Sequence, residues 1–130
     1  MGLFSGIFGK KSNKSLSFPQ ADNFRGFKKI KITSYQFEEA ERNLNFLKEI
    51  DLKKNMITLS LIICSNKTEA IEVFVDDLKI GTIFFGSGNY QELLSAFKTN
   101  QIASVYVKIE YSDAIPNYRP DAYLLVKYGG

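Results

Sequence analysis

Histidine and tryptophan are both absent from the 130 residues, and cysteine occurs once. Without histidine the chain has no Ser-His-Asp or Cys-His machinery, and it lacks the imidazole ligands that most zinc sites use. The lone Cys64, in "LSLIICSN", has no partner for an intrachain disulfide and reads as a small buried hydrophobe. One unpaired thiol fits a reducing compartment. No apolar run reaches the roughly 18 residues that a membrane-spanning helix needs, and the N-terminus has neither a basic n-region nor a long h-region. A cytoplasmic location is therefore expected. No nucleophile, base and orienting group stand together, so neither an enzyme nor a cofactor or metal is expected.

What the chain does have is apolar and aromatic content. Hydrophobic residues make up 45% and aromatic residues 14%, enough for one domain with a sizeable core and, with many Ile and Val, a lean toward sheet. The net charge of +3 is unevenly spread. Residues 1–31 hold seven basic side chains against Asp22, 7 − 1 = +6, which leaves 3 − 6 = −3 for the remainder. A basic lead-in on a mildly acidic body attracts phosphate, whether of nucleic acid or of anionic lipid.

Along the chain, residues 1–22 read as a basic, amphipathic arm and linker, and residues 23–130 as one domain. In "MGLFSGIFGKK", Leu3, Phe4, Ile7 and Phe8 share a helical face beside Lys10 and Lys11, which suits weak contact of residues 1–11 with a membrane surface or a partner protein. "SNKSLSFPQADN" is polar and reads as linker. "FKKIKIT" alternates like a strand, "FEEAERNLNFLKEI" places Phe37, Ala40, Leu44 and Leu47 at helical spacing, and "MITLSLIIC" reads as a buried strand. "AIEVFVDDLKIGTIFF" forms a hairpin turning at Asp76 and Asp77, because Asp tolerates a left-handed backbone. "NYQELLSAFKTN" is a short helix with Asn89 as N-cap, Glu92 three residues on, and Tyr90, Leu93, Leu94 and Phe97 inward. "ASVYVKIEY" and "AYLLVKY" complete six strands. The expected fold is α+β: a small, mostly antiparallel OB-like or SH3-like barrel with two helices, its edges protected by closure.

"FGSGNY" lacks the Lys of a phosphate loop and reads as a strand-to-helix turn. The terminal "LLVKYGG" resembles the tail of ubiquitin-like modifiers in two residues only. The more suggestive group is Lys28, Lys29 and Lys31 leading to Tyr35, since lysines can follow a sugar-phosphate backbone while a ring stacks on a base.

As a set, "IKITSYQFEEAERNL", "AIEVFVDDLKIGTIF", "YQELLSAF" and "VYVKIEY" resemble a HIRAN domain over residues 27–111. Ala70, Ile71, Val73, Val75, Ile80 and Gly81 match that family's hairpin, and Tyr35 stands for the aromatic after its first strand. The resemblance implies an OB-like barrel and a non-enzymatic module binding single-stranded or damaged DNA, or a DNA-processing protein. Asn66 and Lys67 stand where the family carries Tyr-Asp. Lys67 can meet a phosphate but cannot accept a hydrogen bond from a 3′-hydroxyl, so recognition of an end lacks its acceptor here. The nucleic-acid-binding set is thus Lys28, Lys29, Lys31, Tyr35 and Lys67.

Overall fold

The computed structural model describes residues 14–33, 55–110 and 121–129. The arm at 1–11, the expected helix around 37–50, Tyr35 and the loop after Glu110 lie outside the described residues. Among those described, seven strands and one helix follow in the order β1 (Lys14–Pro19), β2 (Lys28–Ile32), β3 (Met56–Ile63), β4 (Glu69–Val75), β5 (Leu78–Ile83), α1 (Tyr90–Lys98), β6 (Ile102–Glu110) and β7 (Asp121–Tyr128). The strands divide between two sheets, ordered β1-β3-β4-β5 and β2-β7-β6, with every ladder antiparallel. This α+β arrangement takes the place of the expected continuous barrel.

Alternation sets which side chains face inward. Ile57 and Leu59 of β3 stand beside Val75 and Val73 of β4, and Ile71 of β4 opposes Ile83 of β5. From the other sheet come Ile30, Leu124, Val126, Val105 and Val107, and all of these belong to one core. Leu93 and Phe97 of α1 enter the same core with no exposed surface. Each such side chain contributes roughly 1.5–3 kcal/mol of transfer free energy. The face expected for α1 is the one observed, with Ala96 buried as well and Leu94 packed at its margin.

The β4–β5 hairpin turns over two residues, and Asp76 takes a positive φ of 54°. Its carboxylate accepts hydrogen bonds from the Met56 N–H at 3.2 Å and from Asn55 Nδ2 at 2.6 Å. The ladder then slips between Val73 and Phe74, where Gly81 opposes Val73 and Lys79 opposes Phe74. Ile80 is the extra residue of this bulge, and the glycine beside it admits the local kink.

Three local expectations are corrected. Residues 14–19, read as linker, form β1, in which Leu16 and Phe18 face inward while Ser15 and Ser17 bond the opposing hydroxyls of Ser60 and Thr58 at 2.8 and 2.9 Å. Asn89 does not cap α1: its backbone is left-handed, its side chain makes no cap bond, and its Nδ2 instead donates to the Lys29 carbonyl at 3.0 Å. Cys64 is half-buried rather than buried, because β3 ends at Ile63 and the thiol falls in the following turn.

Two joints connect the sheets. Thr33 and Thr82 exchange a pair of 2.8 Å backbone bonds, linking β2 to β5. At the other joint β1 ends in Pro19, which has no N–H to extend a ladder, and Gln20 takes over. Its backbone bridges to Val105, its Nε2 donates to the Val107 carbonyl at 3.2 Å, and its Oε1 accepts from the Val107 N–H at 3.0 Å. The side-chain amide thereby pairs with β6 as a strand residue would, in a position only 4% exposed.

Candidate nucleic-acid interface

The sheet β2-β7-β6 buries one face in the core; on the other, Lys29, Lys31 and Lys127 are exposed, Tyr106, Lys108 and Tyr123 are half-buried, and Leu125 between them is buried. Antiparallel register dictates the outward set. Lys31 opposes Tyr123, which opposes Lys108, and in the next outward row Lys29 opposes Leu125, which opposes Tyr106. Basic and aromatic side chains are therefore interleaved across three strands, although no strand shows that arrangement by itself.

The rings and ammonium groups are in contact. Lys29 Nζ lies 4.1 Å from the centroid of the Tyr123 ring, and Lys108 Nζ lies 5.1 Å from that of Phe24. Phe24, in the segment leading into β2, packs on Tyr106 at 4.7 Å between centroids with the planes inclined at 51°. Such cation–π pairs are worth about 0.5–1 kcal/mol each when exposed. Their main consequence is positional, since they hold long, mobile lysines against the sheet.

Two carboxylates sit among these cations. Glu110 bonds Lys29 at 2.8 Å and lies 3.4 Å from Lys108, while Asp121 lies 3.8 Å from Lys31. The hydrogen bond from Lys29 holds the Glu110 carboxyl below its ordinary value, and the same bond raises Lys29 above its own. Both partners are consequently charged across the physiological range. With Lys127 also outward, the face carries four lysines and two acids, 4 − 2 = +2. A more negative ligand, such as a run of phosphates, can compete for lysines that two single carboxylates hold loosely at the surface.

The structure brings together some of the residues expected from sequence and separates others. Lys29 and Lys31 share the outward face, whereas Lys28 begins β2 on the opposite parity, exposed. Lys67 is on neither: it occupies the β3–β4 turn of the other sheet with φ at 68°, held by the Cys64 carbonyl, which accepts from its N–H at 2.8 Å. Asn66 is committed to that turn too, accepting from the Thr68 N–H and hydroxyl at 3.1 and 2.6 Å. Tyr35 lies outside the described residues. Phe24, Tyr106, Lys108 and Tyr123 were not among the expected residues. The signal for three of them was present in "SVYVKIE" and "DAYLLVKY", where Tyr and Lys occupy the positions that alternate with inward Val and Leu.

No group of three potential metal-binding side chains stands together among the described residues. The "FGSGNY" segment is a turn, with the Ser87 N–H donating to the Phe84 carbonyl and the Tyr90 N–H to the Ser87 carbonyl, both at 3.1 Å. No helix among the described residues is long and apolar enough to cross a membrane. The chain matches no protein-family model, no curated protein and no solved structure.

Proposed function

We propose that the protein is a non-enzymatic module that binds single-stranded DNA across the outward face of β2-β7-β6. The observation that carries this reading is the interleaving of Lys29, Lys31 and Lys108 with Tyr123, Tyr106 and Phe24 on one sheet face. Lysines neutralise the backbone, and rings on a pleated surface offer bases a stacking partner worth about 1–3 kcal/mol each. The resemblance of residues 27–111 to HIRAN domains, with their OB-like barrel, supports the same ligand class. Lys28 and Tyr35 remain proposed contacts on that resemblance and on their charge or ring, whereas Lys67, in the β3–β4 turn of the other sheet, does not join them. Because Asn66 and Lys67 replace the acceptor pair, the module engages the strand along its length without selecting an end.

Fluorescence anisotropy of short labelled single strands at low salt tests this. Lys29→Glu combined with Tyr123→Ala is expected to weaken binding at least tenfold while leaving the far-ultraviolet circular dichroism unchanged. Neutralising three phosphates gives a salt dependence of slope about −2, at roughly −0.7 per contact for single strands. Absence of binding, or binding indifferent to the double variant, sinks the reading.

A further inference from the structure

Register in the four-stranded sheet brings four strand ends to one level. Lys14 opposes Leu61, Ile63 opposes Glu69, and Ile71 opposes Ile83, so the start of β1, the end of β3, the start of β4 and the end of β5 lie together. Helix α1 is tied to the same end. Lys14 Nζ donates to the Phe97 and Lys98 carbonyls at 2.9 and 3.3 Å, Lys98 pairs with Glu69 at 2.5 Å, and the Tyr90 hydroxyl donates to the Glu69 carbonyl.

Two large apolar side chains stand out of this end. Phe85 is 64% exposed and Ile63 is 38% exposed. Phe85 follows the last strand residues of β5, its ring meeting Tyr90 edge-on at 5.7 Å, and a side chain added at Gly86 or Gly88 nearby would meet open space. The loop therefore projects its ring outward. Around it the charge is basic: Lys14, Lys67 and Lys98 against Glu69, 3 − 1 = +2, whereas Asp76 and Asp77 occupy the far turn of β4.

We propose that this end of the fold docks on an anionic lipid surface, with Phe85 and Ile63 entering the interface and Lys67 and Lys98 facing headgroup phosphates. Apolar side chains ringed by lysine suit a plane that is apolar beneath and negatively charged at its surface. A second copy of the chain fits less well. Two projecting side chains fall far short of the roughly 800 Å² per partner that a stable interface buries, and two such basic ends repel. The surface is separate from the outward face of β2-β7-β6, so the proposal stands whether or not that face binds DNA.

Co-sedimentation of the full chain with phosphatidylcholine vesicles, with and without added phosphatidylserine, tests it. Binding is expected only to the serine-containing vesicles. Phe85→Ser is expected to weaken it severalfold, and Lys67→Glu about tenfold, since each lysine near such a surface contributes about a fivefold factor. Both positions are exposed, so thermal melts matching the parent chain confirm that the fold persists. The proposal is overturned if neither vesicle binds, if both bind equally, or if Phe85→Ser with Lys67→Glu binds as the parent does. It is overturned as well if Phe4→Ser with Phe8→Ser abolishes binding that Phe85→Ser leaves intact, or if velocity sedimentation shows a dimer that Phe85→Ser dissociates. Loss of single-strand binding in Phe85→Ser, with no vesicle binding by the parent, would reassign this end to nucleic acid.

Discussion

Tyr128 closes β7 with its ring packed against the core and its hydroxyl oxygen buried without a hydrogen-bond partner among the described residues. A polar group in that position lowers stability, because water satisfied it in the unfolded chain. Burial also disfavours the phenolate and pushes the pKa up to about 12, with Glu92 adding in the same direction. The sign follows from proton binding: between pH 10 and 12 the unfolded chain loses a proton that the native chain retains, so stability is intact below pH 10 and declines as the pH rises toward 12. Tyr90 is also raised by burial and Lys29 by its bond to Glu110, and both add to the alkaline loss. Tyr128→Phe is expected to stabilise the protein by on the order of 1 kcal/mol near neutrality. It should also flatten, without abolishing, the fall in urea midpoint between pH 10 and 12. A midpoint lower than the parent's at neutral pH would mean that the hydroxyl is bonded after all.

Elements with a dense local pattern were legible in the sequence, and those completed by distant partners were not. The β4–β5 hairpin and α1 announce themselves through period-2 and period-3.6 spacing, and Gly81 marks its bulge. Strand β1 contributes only Leu16 and Phe18 to the core among serines and lysine, and its polar positions make sense only when Ser60 and Thr58 stand opposite. Asn89 likewise looked like a cap from local sequence but bonds Lys29, sixty residues away in the chain. Gln20 is the sharpest case. In "FPQADN" it has the look of linker, yet its amide completes the joint between β1 and β6. Gln20→Ala strands the Val107 N–H and carbonyl and removes a buried side chain, which is expected to cost about 2–4 kcal/mol by urea unfolding, at 1–3 kcal/mol per unsatisfied group. A linker residue would give no change. Gln20→Glu restores the acceptor but not the donor, and should recover less than half of the loss.

At the scale of the whole molecule, the sequence disclosed the lysines of β2 but not the surface they belong to, since the rings beside them arrive from β6, β7 and the segment holding Phe24. The same assembly places Glu110 between Lys29 and Lys108, and this carboxylate sets how readily the face accepts a polyanion. Its lowered pKa shows that it is stabilised as the anion, so the ion pairs are present above the ordinary carboxylate value and are lost as the pH falls through the lower folded one. Throughout the neutral range, then, a phosphate must displace Glu110 from both lysines. Glu110→Gln keeps the shape and removes the competitor. It is expected to tighten single-strand binding severalfold and to steepen the salt slope by up to about 0.7 for each lysine released, as counterion release requires. The exposed ion pairs it breaks contribute little to folding, so the thermal midpoint should stay near the parent value. Vesicle binding should not respond, because Glu110 lies on the β2-β7-β6 sheet and Phe85 and Lys67 on the other. Unchanged single-strand affinity in Glu110→Gln would show that Lys29 and Lys108 meet no phosphate, and the outward face of this sheet would lose its assignment.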